Sequence, residues 1–152
     1  MFFAVLVSSL ALAIGLAIYD LVTRELQLST TTAQSQYAIY AADTGVECAL
    51  YWDFKYNTSN SIFPTSTSDT PARTASGAYC NGQDVTVGRS IDSTATAATT
   101  TITILLQPFY ATVVVSKSMN GSVMQTAIYS HGYNTLATTS SSAVERELKV
   151  NY

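Results

Sequence analysis

Charge is what this sequence most lacks. Of its 152 residues only 11% are Asp, Glu, Lys or Arg, against about 25% in a typical soluble protein. The 7 basic and 10 acidic residues leave a net charge of −3. General nucleic-acid binding needs clustered Lys and Arg to displace counterions from phosphates, so no direct nucleic-acid contact is expected. Histidine occurs once and cysteine twice, which makes no recognised metal-ligand spacing, and neither a metal nor a cofactor is expected. P-loop, dinucleotide-fingerprint and zinc-protease motifs are all missing. Proline is absent from residues 20–54, where Gly45 is the only glycine. The length suits one domain with a real core, not a core plus a second catalytic domain.

What fills the place of charge is hydroxyl. Serine and threonine supply 40 residues, and apolar types 47% of the chain. That apolar share is too high for an intrinsically disordered segment.

The apolar residues are not spread evenly. Residues 1–19, MFFAVLVSSLALAIGLAIY, carry no charge, and the first charged residue is Asp20. Nineteen residues make about 28 Å of helix, close to the hydrocarbon thickness of a bilayer. A cleaved signal peptide would have basic residues ahead of the run and a small-residue site after it. Here no Lys or Arg precedes Arg24, and DLVTREL follows Tyr19, so the run is expected to stay on the protein.

The helical pattern continues past Asp20. Tyr37, Tyr40, Ala41, Thr44, Cys48 and Tyr51 advance by three or four and are expected to share one face, with Gln36, Asp43 and Glu47 opposite. A continuous helix over 1–54 would be about 80 Å long, more than the remaining residues can cover. Its first half must be buried by lipid or by copies of itself. Thr30, Thr31 and Thr32 are its weakest stretch, because β-branched residues lower helix propensity. A kink or local melting is expected there or near Gly15.

Residues 55–82 hold Asn57, Asn60, Pro64, Pro71, Gly77 and Gly82, which are loop signals. Cys48 and Cys80 flank this region. They are expected to form a disulfide, the alternative being two buried thiols. A bridge would close a 32-residue loop, a gain of about 3–4 kcal/mol in the chain-entropy model.

The remainder reads as strands, over 84–91, 100–107, 109–118, 122–130 and 144–152, with loops at 92–98 and 135–142. The segment 84–91 is a short candidate only. Ile102, Ile104 and Leu106 share one face of their strand, as do Ala111, Val113 and Val115 of the next. Asn120-Gly121 is a strong hairpin signal. The expected fold class is therefore α+β. A long N-terminal helix (1–54) packs through residues 30–54 on an antiparallel sheet of about four strands within a domain spanning 55–152.

Enzymatic readings find little support. Ser130-His131-Gly132 is a local tripeptide, and nothing in the sequence places an Asp beside it. Glu145 and Glu147 share a strand face, which is most simply a solvated face. Asp84 and Asp92 are too few to make a calcium site. Asn57-Thr58-Ser59 and Asn120-Gly121-Ser122 fit the glycosylation acceptor pattern in expected loops.

The segment 40–52, YAADTGVECALYW, is similar to the A-A-[ED]-x-G-x-E-x-A-L stretch of minor-pilin-like proteins, and the ending VERELKVNY resembles their last strand. With the uncharged apolar N-terminus and the cysteine pair, the whole chain resembles the type IV pilins and pseudopilins. That resemblance implies a non-enzymatic filament subunit that resides in the inner membrane before assembly and on the cell surface afterwards. It implies partners too: copies of itself, other pilins, a prepilin peptidase and the inner-membrane assembly machinery. The filament core would be Phe2, Phe3, Val5, Leu6, Leu10, Leu12, Ile14, Leu16 and Ile18, and Met1 would be the processed, N-methylated end. A typical mature member begins with Phe and has Glu at the fifth position; here Met1 and Val5 stand there. Loss of that Glu resembles the tip-located minor pseudopilins, the alternative role.

Overall fold

The computed structural model describes residues 2–54, 61–69, 77–137, 140 and 142–152. Met1 and Asn57 lie outside them, as do all of residues 55–60 and 70–76 of the expected loop region.

One helix, α1 (Phe2–Phe54), runs through the whole N-terminal third. It passes through Gly15 and the threonine triplet without melting. The hydroxyls are accommodated inside the helix: Thr30 and Thr31 donate to the Gln27 carbonyl at 2.9 Å, and Thr32 to the Leu28 carbonyl at 2.8 Å. Ser8 and Ser9 do the same one turn back, to Val5 and Leu6. Such back-bonding satisfies the polar group wherever its surroundings offer no partner.

The chain separates into two compact units, and the division falls inside α1, between Gln34 and Ser35. In the first unit nearly every side chain is exposed. Its ion pair, Asp20 with Arg24 at 3.1 Å, joins two exposed groups, and such pairs contribute little.

The second unit is a helix on a sheet. Strands β3 (Ser90–Ser93), β4 (Ala97–Leu105), β5 (Tyr110–Asn120), β6 (Val123–Tyr133) and β7 (Glu145–Asn151) form an antiparallel meander in sequence order. A separate ribbon pairs β1 (Tyr79–Cys80) with β2 (Gln83–Asp84). Its turn, Asn81-Gly82, has positive φ at both residues (50° and 75°), the requirement of a type I′ hairpin. At the β5–β6 turn Asn120 pairs with Val123. Only Gly121 of the two turn residues has positive φ (65°), as in a type II′ turn.

Alternation sends Thr100, Ile102 and Ile104 of β4, Ala111, Val113 and Val115 of β5, and Ile128 and Ser130 of β6 inward. They meet Ala38, Ala41, Ala42, Gly45, Val46, Ala49 and Trp52 of α1. Phe63, Ile62, Val85 and Ala78 close the end of this core.

Three expectations change. The buried helix face keeps Ala41 and Cys48 of the expected one but is built mainly on small residues, and Tyr37, Tyr40 and Tyr51 are all more than half exposed. The reason is proximity. A Cβ on Gly132 would overlap the Ala38 carbonyl oxygen and the Ala42 amide, and one on Gly45 would overlap the Ser130 hydroxyl. At these crossing points, Ala38 and Ala42 against Gly132 and Gly45 against Ser130, there is no room for a larger side chain. Secondly, 84–91 is not one strand. The Asp84 carboxylate accepts from the Thr86 amide (2.9 Å) and hydroxyl (2.6 Å), folding the chain into a turn. Thirdly, most of 92–98 is hairpin, not loop, and β3 gives the sheet a fifth strand. The flanking threonines favour extended backbone.

Gly132→Ala is expected to destabilise the second unit by about 3 kcal/mol, the upper end for overpacking, because the new methyl meets backbone atoms and not a mobile side chain. Gly15→Ala, with nothing within 4 Å of its Cβ position, should leave the melting temperature of that unit unchanged. Thermal unfolding of the full chain in detergent separates the two.

Candidate functional site

Two features stand out, one in each unit. The first is an uncovered apolar helix surface. Phe2 and Phe3 are each 80% exposed, and Val5, Leu6, Leu10, Leu12, Ile14, Leu16 and Ile18 are all more than half exposed. An 18-residue window of α1 reaches a mean hydropathy of 2.3 with none of it buried. The helix is thus long and apolar enough to cross a membrane. Exposure does not stop at Tyr19: Leu21, Leu26 and Leu28 are also more than half exposed. Fully burying one such side chain is worth about 1.5–3 kcal/mol, so the surface has a large capacity to bind lipid or another apolar helix. The absence of charge made this segment legible in sequence.

The second feature is a polar cluster inside the second unit, which the sequence reading missed. Asp53, in the last turn of α1, faces inward beside Trp52. Its Oδ1 contacts Lys117 Nζ and the Ser61 hydroxyl. Its Oδ2 accepts from the Tyr152 hydroxyl at 2.6 Å. The Lys117 and Asp53 side chains are only 2% and 5% exposed. Burial and the neighbouring Asp53 carboxylate, which accepts its proton, push the Tyr152 phenol far above its ordinary value of 10. Tyr152 is held further by stacking on Phe54 (4.9 Å) and by paired backbone bonds to Thr126. A signal was available: Lys117 continues the parity of Ala111, Val113 and Val115, which places it on the core side.

The remaining polar candidates do not combine. Ser130 is fully buried on the inner face, while His131 points to the outer face, as alternation requires. Among the described residues, the Ser130 hydroxyl and the Thr100 hydroxyl are buried without a hydrogen-bond partner. His131 Nδ1 meets Glu145 Oε1 at 2.7 Å, with Glu147 at 3.8 Å, a partly exposed surface cluster. Hydrogen bonds from Thr86 and Gly77 occupy the Asp84 carboxylate and hold it below the usual carboxylate range. Asp92 is not part of that turn. Among the described residues, no three His, Cys, Asp or Glu side chains gather as a metal site.

Cys48 and Cys80 form a disulfide, with Cα atoms 6.1 Å apart. It joins α1 to β1, and the Trp52 indole donates to the Tyr79 carbonyl beside it at 3.2 Å. Asn120 is exposed at the β5–β6 turn, accessible to modification. Comparison with family models, with curated proteins and with solved structures returned no match for this chain.

Removing one partner of a buried ion pair leaves an uncompensated charge. Lys117→Met is therefore expected to cost about 3–5 kcal/mol in chemical denaturation at neutral pH. The Tyr152 phenol gives an alkaline signature. The unfolded chain ionises it near pH 10 and the folded chain only well above that, so its contribution is intact below pH 10 and is lost as pH rises further. Tyr152→Phe should flatten the fall of stability above pH 10 relative to the parent chain. Tyr110 and Tyr133, also raised by burial, leave a residual slope.

Proposed function

We propose that the chain is a structural subunit of a type IV pilus filament, assembling through its apolar N-terminal helix. The observation that carries this reading is the exposed surface of residues 2–28, uncovered in its own fold and built on the same helix that is packed against the sheet further on. Before assembly that surface is held by the inner membrane. On extraction by the assembly machinery it exchanges lipid for the equivalent helices of other subunits. A contact of this kind is heterologous, so it propagates into an open helical array and does not close. The hydroxyl-rich sheet unit forms the outer surface of the fibre, at the cell surface. The disulfide supports the reading as well, since such bridges persist outside the reducing cytoplasm.

A second reading has its own observation. Val5 stands where the family's Glu neutralises a neighbouring subunit's terminal amine. Without that pairing, a minor pilin or pseudopilin at the tip, acting as initiator, adhesin or secretion component, fits better than a shaft subunit. In either role the protein acts by assembly and not by catalysis, and it engages a prepilin peptidase and other pilins.

Electron microscopy of sheared surface material, with mass spectrometry of the filament protein, distinguishes the readings. Filaments made mainly of this chain establish the shaft subunit. Filaments dominated by another protein, with this chain in trace amounts, establish the tip role. Recovery from membranes alone overturns both and leaves an anchored surface domain. Leu10→Arg places a charge at the middle of the apolar run, at about 2.5–3.5 kcal/mol on insertion scales. It is expected to reduce incorporation into filaments at least tenfold by quantitative blotting, whereas Val87→Arg, on an exposed turn of the sheet unit, leaves incorporation unchanged.

A further inference from the structure

The Asp53–Lys117 pair raises a separate question. Desolvating two charges is barely offset by their attraction, and an apolar pair of similar volume is often as stable. In so poorly charged a chain, this pair sits almost wholly out of water. Its arrangement is that of an amine held against a carboxyl group, with further donors on both carboxyl oxygens.

We propose that Lys117 and Asp53 condense to an intramolecular isopeptide bond, joining the last turn of α1 to β5. The pair lies 64 residues apart in sequence and is brought into contact only by folding. Away from water, passing one proton from the Lys117 ammonium to Asp53 Oδ1 removes both charges and yields the reactive forms, a neutral amine and a neutral acid. The Nζ lone pair then adds to Cγ, and the carbonyl electrons move onto Oδ2. The Tyr152 hydroxyl, 2.6 Å from Oδ2, donates to the oxygen on which negative charge develops. Ser61 contacts Oδ1, the oxygen that leaves. The Ser61 hydroxyl is itself held by the Phe63 amide at 3.1 Å, and it relays a second proton from Nζ to Oδ1. The Cγ–Oδ1 bond breaks, water departs and Oδ2 recovers its carbonyl. In sum, an ammonium and a carboxylate become one amide and one water, with no oxidant or other reactant. Holding the groups in contact replaces a bimolecular encounter, and the dry surroundings disfavour the return of water.

Tyr152 and Ser61 are positioning residues in this scheme, while Lys117 and Asp53 supply the bond. The proposal does not depend on the filament reading. It is tested on the full chain purified in detergent and fully reduced, by intact mass and by peptide mapping. The expected result is a folded chain one water lighter than its sequence, with a branched peptide containing both Asp53 and Lys117. Lys117→Arg keeps a cation beside Asp53 and should restore the full mass. Tyr152→Phe keeps the ring on Phe54 and, when chain recovered unfolded from inclusion bodies is first folded out of denaturant, should slow the mass loss at least tenfold relative to the parent treated alike. A parent chain of full mass, with a Lys117 ε-amine that labels with an amine reagent after denaturation, overturns the proposal. That result stands whether or not either variant folds.

Discussion

The close approach of α1 to the sheet is the constraint on which the second unit rests. Where Ala38 and Ala42 meet Gly132, backbone lies against backbone with no room for a Cβ. Interiors pack at crystal-like density, so a contact this short dictates the side chains around it. It explains the run of Ala and Gly along one face of α1 and the displacement of the tyrosines outward, where Tyr37 stacks on Phe109 at 5.9 Å. The Ser130 hydroxyl, buried without a hydrogen-bond partner among the described residues, lies within overlap of the position a Cβ on Gly45 would take. Each consequence is visible as a residue type, but only the three-dimensional contact says why that type is there.

Features set by one dimension of the chain were readable from sequence. The uncharged stretch before Asp20, the hairpin at Asn120-Gly121 and the alternation through β4 and β5 each depend on residues close together in the chain. The long helix and the antiparallel sheet followed from them. What could not be read depends on distances between elements. Tyr40 and Ala41 are adjacent, and period alone does not say which of two neighbouring stripes is buried. Volume decides that, and the volume available is set by Gly132, some ninety positions away. The side chain of Asp84 turning the backbone at Thr86, in a segment that resembles a strand, is a local effect of another sort. A single hydrogen-bonding carboxylate outweighs the β-propensity of Val85 and Val87. Of the candidate site, the apolar surface was legible because lack of charge needs no partner to be recognised. The Asp53 cluster was not, although the parity of Lys117 carried half of it.

The two units place opposite demands on one helix. The apolar side chains of residues 2–28 are uncovered in the chain's own fold. From Ala38 onward the same helix is fixed by a core. The second unit holds the C-terminal end of that helix by several separate contacts. Cys48 is tied to Cys80, the Trp52 indole to the Tyr79 carbonyl, Asp53 to Lys117, and Phe54 to Tyr152. Four attachments within seven residues reach β1, β5 and the segment following β7. Each uses a different interaction: a covalent bridge, a hydrogen bond, an ion pair and a ring stack. A reductant acts on the bridge and a rise in pH on the Tyr152 phenol, while the buried ion pair is little screened by salt, so no single one of these conditions releases every attachment. Residues 48–54 thus fix the end of α1 to three separate parts of the second unit.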